Sequence, residues 1–341
     1  MTHRFPVKEI ALQSGVSTAT VDRVLNQRRN VSPQTIRRVQ GAIEELKRQE
    51  TQLAAKGRRF FIDIIVEAPS RFSRKIQLAS ETVLTDFKPT AIRPRFTLSE
   101  TMSVEDCVGV LERIGKRGSQ GVCLKARDTR EIRVAISNLM RKSIPVVTIF
   151  TDVTGSNRLA YAGLNNFAAG QTAAYLMQEL LDGSAKTVLT TLSQHVFQGE
   201  EDRYQGFLSE LSCLRPDLSV IDASGGSGLN PSTGREIADK VPKHIKVDGV
   251  YSMGGGNQAA LEVLSEIQKT LPVYIAHDLD EDNLDLLQNQ KLTFVLHHDL
   301  KADMRAAFRQ ILAFHGIGDK PTSSQSDIHI VTPKNIPADL A

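Results

Sequence analysis

The chain has 341 residues, a formal net charge of +3 and a hydrophobic content of 40%, which is enough for more than one domain with its own core. No stretch approaches the ~18 consecutive apolar residues that a membrane span requires, and the start lacks the apolar core of a signal peptide. We therefore expect a cytoplasmic protein without a membrane partner. The three cysteines, Cys107, Cys123 and Cys213, lack CxxC or His-rich spacing, so we expect buried free thiols rather than disulfides or a metal site.

The charge is unevenly distributed along the chain. The segment before Phe60 contains twelve Lys or Arg and five Asp or Glu, a charge of +7, so the remainder carries −4. A small basic end joined to a larger acidic body indicates a polyanionic partner, and nucleic acid is the one that we expect.

Three short helices are predicted within residues 5–46. Apolar residues at helical spacing mark each helix: Val7, Ile10, Ala11 and Leu12 in the first, Val21, Val24 and Leu25 in the second, and Ile36, Val39, Ile43 and Leu46 in the third. Gly15 permits a left-handed turn after the first helix, and Ser17 is an N-cap candidate for the second. Ser32 and Pro33 cap and open the third helix after a polar, basic loop at 26–30.

The second helix leaves a polar face away from this small core. Thr18, Ala19, Asp22 and Arg23 point outward, and such a helix in a basic segment is typical of a unit that reads base edges in the major groove of DNA. The alternative is a solvated helical cap with surplus Lys and Arg.

Residues 60–341 alternate strand and helix patterns. The clearest strands are predicted at 60–66, 90–98, 121–124, 145–149, 187–192, 218–223, 249–253, 273–277 and 293–297, and helices at 76–87, 104–116 and 131–142. Apolar strands joined by crossover helices form parallel sheets, and about eleven strands are too many for one doubly wound sheet. The sequence therefore predicts two α/β lobes.

Residues that are mostly polar follow these strands, at the edge where parallel sheets bind ligands. They are Ser70, Arg71, Phe72, Lys125, Arg127, Asp128, Thr151, Asp152, Gln194, His195, Gly254 to Asn257, Asp278 and His297 to Asp299. Any one of them taken alone can be an exposed loop residue or a helix cap. Their recurrence at strand ends predicts a cleft between the lobes.

The amino-terminal segment resembles the headpiece of the LacI/GalR family of bacterial transcriptional regulators. The resemblance is carried by VKEIA (7–11), GVS (15–17), TVDRVLN (20–26) and VSPQT (31–35). It implies that the second helix reads an operator and that Thr18, Ala19 and Arg23 contact bases, with the guanidinium making a forked pair with guanine. Asp22 stands where the family usually has a small hydroxyl residue. The predicted DNA-contacting set is Ser17, Thr18, Ala19, Asp22, Arg23, Asn26, Arg28 and Leu53.

The connection to the body departs from the family pattern. Residues 47–59 lack the usual Pro-Asn pair and are about four residues shorter than expected, so we expect the third helix to continue without a break. Leu53 is the candidate for a side chain that wedges into the minor groove. The alternative is that it packs against the body.

The body resembles the effector domain of the same family, which shares its fold with periplasmic sugar-binding proteins. The resemblance is carried by LNN (164–166) with AG (169–170), RYQGF (203–207) and YIAHD (274–278). It implies a type I periplasmic-binding-protein-like fold with a ligand between the lobes. Residues predicted to bind the effector, from the resemblance or from strand-end position, are Phe72, Arg127, Asp152, Arg203, Asn257, Asp278 and His298. No phosphate-binding glycine motif follows a strand.

The predicted organisation is a helix-turn-helix headpiece at 1–46, a linker or hinge at 47–59, and an effector-binding and dimerisation body at 60–341. The chain is expected to cross between the lobes near 160–164, 291–299 and 318–326.

An enzyme is a weaker interpretation, because no nucleophile elbow, metal-ligand spacing or carboxylate pair at helical spacing is present. The neighbours His277 and Asp278 suggest acid/base chemistry, but adjacent strand residues are expected to face opposite sides. We predict a DNA-binding transcriptional regulator, with repression as the default, that needs no cofactor or metal. Its predicted partners are operator DNA, a sugar, polyol or sugar-derivative effector, and a second copy of itself, with a tetramer as an extension. The alternative is a free-standing sugar-binding or sugar-modifying protein with an incidental helical cap.

Overall fold

The structure is a computed structural model that describes residues 3–28, 31–55, 59–319 and 325–338; the side chains at 48 and 50–55 are outside the description. The amino-terminal helices are α1 (Val7–Ser14), α2 (Thr18–Leu25) and α3 (Pro33–Ala55). Their core contains Phe5, Ile10, Ala11, Val21, Val39 and Leu46. The fold class predicted from sequence, a small helical headpiece before a two-lobed α/β body, is confirmed.

The turn between α1 and α2 has the predicted chemistry. Gly15 ends α1 in the left-handed region at φ 63°, where a side chain would be strained. The Ser17 hydroxyl accepts a hydrogen bond from the Thr20 backbone N–H at 3.1 Å, which caps α2. Arg38 of α3 donates to the carbonyl of Ser14 at 2.9 Å, so α3 also fixes the end of α1.

Helix α3 is a single helix of 23 residues that includes residues 47–55. Leu53 is therefore on the same helix as the headpiece core residues. Its side chain lies outside the described part of the chain, so its role as a wedge stays a prediction.

In the described residues, the body contains strands and helices that alternate for most of its length. The strands are β1 (Arg59–Glu67), β2 (Ala91–Ser99), β3 (Gly121–Lys125), β4 (Val146–Ile149), β5 (Ala160–Leu164), β6 (Thr187–Thr191), β7 (Ser219–Asp222), β8 (Gly249–Ser252), β9 (Val273–His277), β10 (Phe294–His297), β11 (Gln325–Ser326) and β12 (His329–Val331). The helices are α4 (Ser70–Thr82), α5 (Val104–Arg117), α6 (Arg130–Arg141), α7 (Asn166–Leu180), α8 (Gln198–Leu214), α9 (Asn230–Lys240), α10 (Asn257–Ile267), α11 (Glu281–Gln288) and α12 (Leu300–Phe314), with a 3-10 helix at Val83–Phe87.

These strands form two six-stranded sheets, one in each lobe. The first has the order β11-β5-β4-β3-β1-β2 and the second β12-β10-β9-β8-β6-β7. Every pairing is parallel except that of β10 with β12, which is antiparallel. The central strands are buried apolar runs, as in β4 and β8, because helices cover both faces of each sheet.

The chain passes between the lobes at three segments. It leaves the first lobe between β5 and α7, returns between β10 and α12, and leaves again between β11 and β12. Helix α12 follows a strand of the second lobe, but its Met304, Phe308 and Ile311 pack in the core of the first lobe. Connections of this kind between two separately packed lobes allow the lobes to move as rigid bodies.

Two features differ from the sequence prediction. Strands β5, β11 and β12 were not assigned, because the first is rich in small residues and the other two are short edge strands without an apolar run. The expectation that all three thiols are buried is wrong for Cys213, which is exposed on the last turn of α8. In the described part of the chain, no helix is both long and apolar enough to cross a membrane.

Candidate functional site

The first candidate surface is the outer face of α2 with its flanking residues. The side chains predicted to contact DNA are exposed at Ser17, Thr18, Ala19, Arg23, Asn26 and Arg28, and half-buried at Asp22. Val21 is fully buried on the opposite side of α2. The amphipathic pattern of α2 therefore presents a continuous polar face, which is the arrangement that groove recognition requires.

Asp22 is engaged by its neighbours on this surface. Its carboxylate accepts a hydrogen bond from Asn26 Nδ2 at 2.8 Å and forms an ion pair with Arg28 at 3.3 Å. The acid that departs from the family pattern is thus partly neutralised by a cation of the following loop. This contact reduces the repulsion that a free carboxylate would exert on phosphate.

The second candidate site is a cavity between the two lobes. Strand ends and helix starts of both lobes line it, as predicted for parallel sheets. The charged side chains among the lining residues are Glu67, Arg71, Glu100, Lys125, Glu200, Arg203, Asp278 and Asp280, and the aromatic ones are Phe72, Phe150, Phe197 and His277. Rings beside charged and polar groups form a surface that suits a ring with several hydroxyl groups.

A buried charge network forms one wall of the cavity. Arg203 donates to Asn166 Oδ1 at 2.7 Å and to the Met253 carbonyl at 3.1 Å, and its Nη1 lies 3.8 Å from Asp278 Oδ2. His298 contacts Asp303 through Nδ1, and its Nε2 lies 3.3 Å from Asp278 Oδ1. The carboxylate of Asp278 therefore lines the cavity, with the Arg203 guanidinium beside one of its oxygens and the His298 ring beside the other.

The titration behaviour of this wall follows from these contacts. Burial lowers the pKa of His298, but the charges of Asp303 and Asp278 outweigh burial and raise it to about 9. Burial also works against ionisation of Asp278, yet His298 and Arg203 hold the pKa of that carboxyl well below its ordinary value. At neutral pH the wall thus presents a carboxylate supported by an imidazolium and a guanidinium.

Lys125 and Glu200 approach the cavity from different lobes. The Lys125 ammonium donates to the Glu67 carbonyl at 2.8 Å and lies 4.3 Å from the centre of the Phe197 ring. Burial lowers the pKa of Lys125, and burial raises the pKa of Glu200. Glu200 accepts from the backbone N–H of Ser193 at 2.5 Å. Each group retains hydrogen-bonding capacity toward the cavity.

The structure places four of the seven predicted effector residues at this cavity. Phe72, Arg203 and Asp278 line it, and His298 lies directly behind Asp278. Phe72 also packs edge-on against Phe150, with ring centres 5.7 Å apart.

The other three predicted effector residues are engaged elsewhere. Arg127 forms a two-point contact with Glu67, and Asp152 accepts from Arg158. Asn257 is buried, where it donates to Asn283 Oδ1 at 2.7 Å and accepts from the Tyr274 hydroxyl at 2.9 Å. None of these three side chains is among the residues that line the cavity in the described structure.

Several lining residues were not in the predicted effector set. Lys125, Thr151 and Arg71 lie at or after the ends of strands, and this position was the only feature of the sequence that indicated a place at the cavity. Glu200 lies in the first turn of α8 and has no such signal.

His277 is a correction, because it lines the same cavity as Asp278. Strand β9 ends at His277, and Asp278 has a left-handed backbone conformation at φ 63°. The alternation of side chains along a strand therefore does not extend to Asp278. His277 accepts from or donates to the Tyr251 hydroxyl at 2.7 Å, and its Nδ1 has no hydrogen-bond partner among the described residues.

The fold and the two sites define a two-lobed small-molecule-binding protein with a helix-turn-helix unit at its amino terminus. Sequence profiles agree: "Periplasmic binding protein domain" matches residues 96–315, and "Bacterial regulatory proteins, lacI family" matches residues 7–47. The chain belongs to the LacI family of bacterial transcriptional regulators, with a periplasmic-binding-protein domain as its body. This family consists of regulators and binding proteins rather than enzymes.

Solved structures show the same fold at low sequence identity. A solute-binding protein from Burkholderia graminis in complex with D-arabinose has a TM-score of 0.74 and 18% identity, covering 83% of this chain and 98% of that one. GanP, a glucose-galactose binding protein from Geobacillus stearothermophilus, has a TM-score of 0.72 and 16% identity over 82% of this chain and 99% of that one. A protein from Bacteroides fragilis assigned to the LacI transcriptional regulators has a TM-score of 0.72 and 15% identity over 82% and 98%. Comparison with curated proteins gives no sequence match.

Proposed function

We propose that this protein is a cytoplasmic repressor that binds a specific operator and changes its operator affinity when a sugar, polyol or sugar derivative binds between its lobes. The observation that carries the proposal is the presence, in one chain, of an exposed polar face on α2 and of an interlobe cavity lined by carboxylates, cations and aromatic rings. The first suits base edges and the second suits a hydroxylated ring. Repression is the mode that the family resemblance favours.

On the DNA side, Thr18, Ala19 and Arg23 contact bases, while Ser17, Asn26 and Arg28 contact the backbone. A guanidinium paired with guanine supplies about 1–3 kcal/mol of discrimination. A single headpiece of this size contacts too little DNA for tight specific binding, so two copies of the chain occupy neighbouring half-sites as a homodimer.

On the effector side, Asp278 accepts from ligand hydroxyls, and Arg203 and Lys125 donate to ligand oxygens. Phe72 and Phe150 flank the ring, since both line the cavity at its first-lobe side. The arabinose and glucose-galactose proteins that share this fold bind small sugars of the kind that such a surface suits.

Coupling between the sites follows from the connectivity. An effector that binds both lobes favours one relative orientation, and α3 joins the first lobe to the headpiece. The operator affinity then changes by the difference in effector affinity for the two orientations, which is about 1–3 kcal/mol in typical allosteric proteins.

The DNA part of the proposal is tested by selection of the full-length protein on a random double-stranded library. We expect enrichment of a two-fold symmetric sequence whose binding weakens steeply with salt. Failure to enrich any sequence across a range of salt concentrations would contradict specific DNA binding.

The effector part is tested by thermal unfolding of the full-length protein with neutral sugars, polyols, sugar acids and sugar phosphates. A ligand at 100 times its Kd increases the free energy of unfolding by about 2.7 kcal/mol and therefore raises Tm. The same compound should change the affinity for the selected operator. If no compound of these four classes raises Tm, the effector assignment is wrong.

A further inference from the structure

The two lobes are bonded directly to each other by Arg71. This residue lies in the first turn of α4 in the first lobe, and its guanidinium reaches across the cavity to the second lobe. Nε donates to Asp280 Oδ2 at 2.5 Å, and Nη2 donates to the Gly228 carbonyl at 2.8 Å. A second carboxylate, that of Asp282, lies 3.7 Å from Nε. One side chain therefore joins α4 to two separate segments of the other lobe.

We propose that Arg71 is a latch that holds the lobes in their closed orientation, acting through Asp280 and the Gly228 carbonyl. The contact is enclosed, since the side chains of Arg71 and Asp280 are 14% and 8% exposed. Separation of the lobes would break both hydrogen bonds and leave a carboxylate and a guanidinium without their partners. Because the contact is enclosed, solvent screens it less than it screens an exposed ion pair, so it favours the closed orientation more strongly.

The second lobe is shaped to receive this guanidinium. Gly255 has φ 101°, and a Cβ atom at this position would lie 2.4 Å from Arg71 Nη2. Any side chain there would occupy the position of the guanidinium, so the glycine is needed for the latch to close. This feature of the loop before α10 is independent of the charges and points to the same contact.

The acceptor is also held in place within its own lobe. Asp280 is the N-cap of α11, and its Oδ1 accepts from the Asn283 backbone N–H at 2.9 Å, while Oδ2 meets Arg71. The carboxylate thus has one oxygen committed to each lobe. The cap fixes the carboxylate before the latch closes, so closure orders only the arginine side chain.

A neighbouring contact provides a matched control. Arg74 of α4 pairs with Glu281 of the second lobe at 3.1 Å, also across the lobes, but the two side chains are 64% and 61% exposed. Solvent screening makes an exposed pair of this kind weak. The latch proposal therefore predicts opposite results for two arginines separated by one helical turn.

The test measures the distance between the lobes by pulsed electron spin resonance on the full-length protein. Labels are placed at exposed positions through Glu81→Cys on α4 and Asp239→Cys on α9, in a Cys213→Ser background that removes the exposed native thiol. Arg71→Ala should shift the distance distribution to longer values, and Arg74→Ala should leave it unchanged. The experiment needs neither DNA nor effector, so its outcome is independent of the proposed function.

Three further variants separate the latch from a general loss of stability. Asp280→Asn keeps a side-chain oxygen for the α11 cap but loses the charge, and it should open the lobes as Arg71→Ala does. The double variant should open them no further than either single change. Arg71→Lys, which cannot donate to both acceptors in the same geometry, should give an intermediate distribution. A wild-type distance distribution in Arg71→Ala, or equal opening in Arg74→Ala, would overturn the proposal.

Discussion

The two candidate sites are assembled from the sequence in opposite ways. The DNA-facing residues lie between positions 17 and 28 on one helix and its flanks, so their common orientation follows from helical periodicity alone. The cavity residues lie between positions 67 and 280 and come together only through the order of strands in two sheets. The residues of a local site can therefore be predicted from their spacing in the sequence. The lining of a site between lobes cannot, because it depends on which charged side chains are already paired within each lobe.

The largest effect is expected from removal of the buried cation of the cavity. Arg203→Met keeps most of the side-chain volume but leaves Asn166 Oδ1 and the Met253 carbonyl without their donor and Asp278 without its ion-pair partner at 3.8 Å. We expect a loss of about 3–5 kcal/mol in the free energy of unfolding, because the partners stay buried. Urea unfolding measures this loss.

The matched control is Arg235→Ala on α9, an exposed arginine that contacts only the Pro231 carbonyl among the described residues, at 3.3 Å. Its substitution should change the free energy of unfolding by less than about 0.5 kcal/mol. Equal losses in the two variants would show that the cavity wall is not a special structural element.

His298 provides the second test of the cavity wall, through pH. Its folded-state pKa of about 9 is above the unfolded value of 6.5, so the imidazolium stabilises the protein fully below pH 6.5 and this contribution disappears as pH rises to 9. This pKa shift corresponds to a contribution of about 3 kcal/mol to the free energy of unfolding at low pH. We expect the difference in the free energy of unfolding between wild type and His298→Asn to decrease as pH rises from 6.5 to 9.

The neighbouring histidines change the pH dependence of stability in the opposite direction to His298. The test therefore compares wild type with His298→Asn, so that the contributions of the neighbours cancel. Burial lowers the pKa of His297 to about 4 and that of His277 well below its ordinary value, so both favour the folded state at higher pH. A difference between wild type and His298→Asn that is constant from pH 6.5 to 9 would show that His298 is not charged in the folded protein.

The fold was predictable because its signals are local. Apolar runs gave most strands of both lobes, and Gly15 and Ser17 gave the turn of the headpiece. At the cavity, strand-end position located the correct edge of each sheet but could not distinguish Lys125, which lines the cavity, from Arg127 two residues later, which is bound by Glu67. Pairing within a lobe depends on three-dimensional neighbours, and the strand β12 was missed because an antiparallel edge strand needs no apolar run.

On the headpiece, Arg23→Ala tests whether α2 reads bases. We expect relaxed discrimination at one position of each half-site, with a cost of about 1–3 kcal/mol, and a folded body. The matched control is Arg37→Ala on α3, which removes the same charge from an exposed position of the headpiece. Binding to single-base operator variants distinguishes the two, since loss of charge alone weakens all sequences equally. Unchanged selectivity in Arg23→Ala would remove this residue from the reading set.

The smallest effect concerns Asp22, where the headpiece departs from its family. Asp22→Asn keeps an acceptor for Asn26 but loses the ion pair with Arg28, an exposed contact at 3.3 Å, so the free energy of unfolding should change by less than about 1 kcal/mol. Arg28 is then free to contact phosphate, and operator affinity should rise at low salt. Glu9→Gln on α1 makes the same change in charge away from the reading face. If both variants raise operator affinity equally in fluorescence anisotropy, Asp22 acts only through net charge; a larger rise in Asp22→Asn indicates that this acid restrains Arg28 at the DNA surface.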